Sequence, residues 1–185
     1  SGATHAALES AVGALRTLGA DADDIASVRI DGFREMVDVL GQPFPANGLA
    51  ATMSTPYVVA CGLTEGTFAL RHLDDRYRGD VRLTDLQTDI ALHVDARLDT
   101  LPPAHLGART TITTTDGRTA TVEVLSASGH PGNPLSRDQV LAKLRDLHRD
   151  GDLHDGPDLT GLADTCGDLT RGTVAGVLDA AHGTA

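Results

Sequence analysis

The chain has 185 residues, a formal net charge of −11, two cysteines and no tryptophan. That length supports one large domain with a real core and no staples. Two cysteines make no disulfide framework, and an acidic chain repels phosphate backbones, which argues against nucleic acid as a partner. Aromatic residues make up only 3%, so no stacking platform for bases is expected and the core must be Leu, Val, Ile and Ala. No apolar run reaches membrane length and no basic region precedes the first apolar stretch, so neither a membrane span nor a secretory leader is expected and the location reads as cytoplasmic.

In chain order, Thr4 is placed to cap a first helix with Leu8, Val12, Leu15 and Leu18 at helical spacing, ended by Gly19. A short strand is expected near residues 27–31, then a Pro/Gly/Asn-rich loop, GQPFPANGLA. MSTPYVVACGLTEG reads as a buried helix that opens at Ser54, carries Pro56 in its first turn and closes at Gly66. Leu83 to Leu86 suggests a short helix and Asp89 to Val94 a strand. ARTTITTTDGRTATVEVL reads as a hairpin, two alternating Thr/Val/Ile runs turning at Asp116-Gly117, whose positive φ angles suit a tight turn. Pro131 and Pro134 forbid helix and strand between residues 126 and 135. Ser136 and Gln139 then form a capping box for a helix with Leu141, Leu144 and Leu147 as its buried stripe. A polar segment, HRDGDLHDGPD, precedes one or two C-terminal helices bearing Leu162, Leu169, Val174 and Leu178. The sum is α+β, a small, largely antiparallel sheet with packed helices. Two domains are expected, residues 1–150 as the α+β part and 151–185 as a helical segment that packs on it or on a partner.

The chemical signals are sparse. His148 and His154 lie among Asp150, Asp152 and Asp155, but the spacing fails the twelve-residue calcium loop, and a solvated acidic loop is the better reading. No metal and no cofactor are expected. His93 reads as a surface histidine, Cys61 as packing and the threonines of 110–115 as β-formers. His5 sits in the first turn of a helix, where backbone N–H groups favour an anion such as a substrate carboxylate. His130 lies between glycines that permit close approach of a ligand or another chain.

Three stretches in order, ATHAALESAVGAL, MSTPYVVACGLTEG and DGR followed by GHPGNPLSRDQVLAKL, resemble the 2-methylcitrate dehydratase and cis-aconitate decarboxylase superfamily (MmgE/PrpD). The resemblance spans roughly residues 3–147. It implies the family's α+β lid and returning C-terminal helices. Members pair that lid with a large helical domain and dehydrate, decarboxylate or isomerise small polycarboxylic acids, generally without a metal. In that frame His5 falls nearest the cleft, and His130 matches a loop histidine of some members. Together they are the candidate catalytic residues. There are departures. The family's active-site lysine would fall before Ser1, and a tyrosine used by the decarboxylases would fall within residues 36–39, where none occurs. The resulting expectation is a lid-like subunit of a split lyase, acting on a carboxylic acid with a separate all-helical subunit. A homo-oligomer, a stand-alone biosynthetic enzyme with a rebuilt pocket, and a non-catalytic binding or scaffold protein are the alternatives.

Overall fold

A computed structural model of the chain describes residues 1–151 and Gly161. The chain divides into two compact units, Ser1–Pro134 and Leu135–Ala185. The expected C-terminal helices, with His154 and Cys166, lie outside the described residues.

The first unit opens with a single 3-10 turn, Gly2–Thr4, that runs into helix α1 (His5–Leu18). Strand β1 (Ile25–Gly32) follows, longer than the expected 27–31. Helices α2 (Arg34–Asp38), α3 (Gly48–Thr52), α4 (Thr55–Glu65), α5 (Asp75–Arg78) and α6 (Val81–Thr88) form a long crossover to strand β2 (Ile90–Val94). After α7 (Ala96–Asp99) come β3 (Ala108–Thr114) and β4 (Thr119–Val124). The sheet order is β2-β1-β3-β4. β1 pairs with β2 in parallel, while β1–β3 and β3–β4 are antiparallel. The fold is therefore α+β with a largely antiparallel sheet, as expected.

Alternation decides the two faces of the sheet. Ala108, Thr110, Ile112 and Thr114 of β3 are buried, and Arg109, Thr111 and Thr113 between them are not. The outer face carries a row of polar side chains across all four strands, His93, Asp31, Arg109 and Glu123, each in register with the next. Asp31, only 4% exposed, is held by Arg29 at 2.7 Å and Arg109 at 3.3 Å. Its burial is thus compensated by two guanidinium groups.

α1 lies across β3 and β4, and α4 packs against α1. The expected helix is present, and its fully buried face is Ala6, Ala7, Ser10, Ala11 and Ala14, with Leu15 beside them, while Leu8, Val12 and Leu18 are only half-buried. Small side chains bring the helix close to the sheet. One polar pair is trapped there, with Ser10 Oγ 2.7 Å from Thr110 Oγ1. Ser10 donates to the Ala7 carbonyl, so the Thr110 hydroxyl is the donor to Ser10.

The capping expectation at Thr4 is corrected. Its hydroxyl donates to the Ser1 carbonyl and makes no capping bond to α1. The region read as loop at 41–50 contains the start of α3, where Asn47 accepts from the Ala50 N–H. Three short helices share a signal the sequence displays: Asp74, Asp80 and Asp95 each accept the backbone N–H of an arginine two residues on. At the β3–β4 turn only Gly117 has positive φ, at 86°. Gly117 N–H bonds the Thr114 carbonyl and Thr114 N–H bonds the Arg118 carbonyl, so the connection is a three-residue loop, residues 115–117, with Gly117 in the left-handed position, rather than the tight two-residue turn.

In the second unit, α8 (Arg137–Asp150) opens with the expected reciprocal capping box between Ser136 and Gln139. Of its leucines, Leu141 is buried and Leu147 is 39% exposed.

Candidate functional site

His5 is exposed in the first turn of α1. The N–H groups expected to face an anion there are used by the preceding 3-10 turn. Ala3 N–H bonds Ser1 Oγ, Thr4 N–H bonds the Ser1 carbonyl and His5 N–H bonds Gly2. The Ala3, Thr4 and His5 amides are therefore not free to meet an anion at this helix end. The Ser1 ammonium bonds the Thr52 carbonyl at 3.2 Å, which ties this end of α1 to the end of α3.

His130 occupies the loop between β4 and α8. Its Nδ1 accepts from Gly132 N–H at 3.0 Å, so the ring proton resides on Nε2, which donates to the Ala104 carbonyl at 2.7 Å. Both ring nitrogens are engaged with backbone. The neighbouring ring of His105 lies 5.0 Å away, tilted 33°, and its Nδ1 is 2.8 Å from Ser126 Oγ. Gly129 takes φ 91°, and Gly129 N–H and Asn133 N–H close the turn on Asn133 and His130 carbonyls. His130 thus staples the 126–134 loop to the 101–106 segment. His130→Ala is expected to cost about 1–2 kcal/mol and to speed amide hydrogen exchange at Gly132 while α1 and β1 amides stay protected; NMR exchange rates check this.

The two candidates are carried by segments that the fold joins. Glu9, one turn after His5, accepts the N–H of Ser128 at 2.9 Å, two residues before His130.

Sequence reasoning overlooked His72, the most buried histidine described, with no exposed surface. Its Nδ1 accepts from Ala69 N–H at 2.8 Å and its Nε2 lies 3.1 Å from Glu65 Oε2, which Arg71 also holds at 2.8 Å. The ring stacks on Phe68 at 5.6 Å and meets Tyr77 edge-on at 5.0 Å. Tyr57 donates its hydroxyl to the His72 carbonyl at 2.7 Å. Burial lowers the His72 pKa and raises that of Tyr57; it pushes the Cys61 thiol up to about 12. Cys61 is therefore an inert packing residue. Most partners of His72 lie within seven residues of it, from Glu65 to Tyr77, and Tyr57 of α4 is the distant one.

Among the described residues no cluster of His, Cys, Asp and Glu is placed to hold a metal, and no helix is long and apolar enough to cross a membrane. A family model, the MmgE/PrpD C-terminal domain, matches residues 1–151. The chain belongs to the MmgE/PrpD family. No curated protein matches it. The MmgE/PrpD match covers the whole first unit and α8, and so includes both candidate histidines. Where the family resemblance placed a tyrosine, this member has buried Met36 and, at the other end of that window, Val39 at 61% exposure.

The MmgE/PrpD domain also carries an uncharged stretch. Between Asp38 and Glu65 there is no acidic, basic or histidine side chain. Part of that stretch is exposed: Val39, Phe44 at φ 55°, Leu49 at 78% and Met53. Gln87, itself buried, accepts the Phe44 N–H at 2.8 Å and fixes this unusual backbone.

Proposed function

We propose that this chain is the small, lid-like subunit of an MmgE/PrpD-type lyase, which dehydrates, decarboxylates or isomerises a carboxylic acid together with a separate all-helical subunit. The observation that carries the reading is the match of residues 1–151 to the family's C-terminal domain. The exposed, charge-free residues Val39, Phe44, Leu49 and Met53 support a partner surface, since scattered apolar residues are normal but a grouped set with no charge among them is not. The Ser1–Thr52 bond ties the chain start, four residues before His5, to that stretch.

In dehydration a base takes the proton from the carbon next to a carboxylate and the C–O bond on the neighbouring carbon breaks, with an acid protonating the departing hydroxyl to water; in decarboxylation the C–CO2 bond breaks, its electron pair stays on carbon, and an acid protonates that carbon. The partner supplies the main acid and base. His5, exposed at the end of α1, meets the substrate carboxylate or transfers a proton to the leaving group. His130 sets the shape of the loop edge.

The test is a native-mass pull-down of the chain from its source lysate, followed by assay of the recovered complex on small carboxylic acids for loss of water or CO2. A predominantly helical partner in fixed stoichiometry is expected. His5→Ala in that complex should lower kcat/KM by about 100-fold with the complex intact. Recovery of only a monomer or homo-oligomer, or full activity of the His5 variant, refutes the reading in its respective part.

A further inference from the structure

The first unit contains a cavity of about 430 Å³ whose wall is one face of α1, residues Leu8, Glu9, Val12 and Arg16, closed by Thr67 after α4 and by Ser128. That volume suits a small ligand. The positions recur at helical spacing, so they share a face. Arg16 is distinctive. Each other arginine described between residues 1 and 134 is ion-paired with a carboxylate. Arg16 has no such partner, although the chain carries 26 acidic residues against 15 lysines and arginines. Its guanidinium lies over Gly66, where even an added Cβ would stand 4.0 Å from Nη2.

We propose that this cavity binds an aliphatic carboxylate, with Arg16 as its anchor and Leu8 and Val12 receiving the alkyl chain. A guanidinium left unpaired in an acidic protein and beside an apolar wall offers a carboxylate both charge-assisted hydrogen bonds and burial of its chain. Glu9 sets the orientation. It lies seven residues before Arg16, about 10 Å along the helix axis, and its carboxylate is directed to Ser128 N–H. Like charges repel, so the ligand's carboxylate lies at the Arg16 end and its chain runs toward Val12. A chain of five or six carbons fits that span. This site lies wholly within the first unit and is independent of any helical subunit.

The experiment is an NMR titration of the full ¹⁵N-labelled chain with sodium hexanoate, with sodium chloride and hexylamine as controls. Saturable shifts are expected at the Gly13, Gly66 and Thr67 amides with hexanoate alone. Arg16→Gln should weaken binding by about tenfold or more. Glu9→Gln keeps an acceptor for Ser128 and removes the like charge, so it should tighten binding about two- to threefold. If Arg16 serves only to complement the C-terminal end of α4, the Gln variant will lose stability and no saturable hexanoate shifts will be seen in the wild type. That result, equal binding by wild type and Arg16→Gln, or the same shifts with sodium chloride, overturns the proposal.

Discussion

His72→Ala is expected to lower the unfolding free energy by about 3–4 kcal/mol, measured by urea denaturation at pH 7.5. The imidazole is fully buried between Phe68 and Tyr77, so its loss leaves a cavity lined by aromatic rings. It also orphans the Ala69 N–H and removes one partner of Glu65. The cost combines a large-to-small change with an unsatisfied donor, which is why it exceeds that of either alone.

The same residue should make stability pH-dependent with a definite sign. Burial is the largest influence on His72 and lowers its pKa; the Glu65 carboxylate opposes this and Arg71 adds to it. In the unfolded chain the imidazole titrates near 6.5. Below that pH the unfolded state takes up a proton that the folded state refuses, so stability present above about pH 6.5 is lost as the pH falls toward the lower folded value. The urea midpoint of the wild type should therefore drop between pH 7.5 and 5.5, and the drop should be smaller in His72→Ala. An equal drop in both would place the titration elsewhere. Glu65 adds a second, more acidic window. Burial works against its ionisation, but the Arg71 hydrogen bond and the charges of His72 and Arg71 outweigh it, so its pKa is lowered. Its contribution is present above the ordinary glutamate range and is lost only as pH falls through the lower folded value.

Gly62→Val is the second substitution with a large expected effect, about 3 kcal/mol of destabilisation from overpacking, read as a lowered Tm. Gly62 sits where α4 meets α1. A Cβ there would approach Leu8 Cδ1 to 2.0 Å and Val12 Cγ2 to 3.3 Å. Alanine should be tolerated far better, because the terminal methyl of Leu8 can swing aside and alanine favours helix by about 1 kcal/mol over glycine. Valine adds two branches that the packed contact has no room for. A Tm of Gly62→Val equal to that of Gly62→Ala would mean the two helices part easily.

Local chemistry made several elements legible. The Ser54 cap with Pro56 at the start of α4, the Gly19 and Gly66 stops at left-handed φ, the alternating threonines of β3 and the Ser136–Gln139 box all depend on residues within a few positions of one another. The family resemblance was also legible, because its motifs are short stretches in a fixed order, and it placed His5 and His130 on the domain. What local pattern could not reveal is which face of α1 is buried. Leu8, Val12, Leu15 and Leu18 have the stronger hydrophobic spacing, yet the alanines lie on the sheet because only small side chains permit that approach. Nor could it show that His130 Nε2 would be used by the distant Ala104 carbonyl, that Tyr57 would donate to the His72 carbonyl, or that Arg16 alone among the first unit's described arginines would lack a carboxylate. Sequence by itself determined the ends of α4, the strands of the hairpin and the start of α8, since caps, prolines and alternation act over a few residues. The tertiary structure decided burial, ring tautomers and charge pairing, because those depend on groups that only the folded chain brings within a few ångströms.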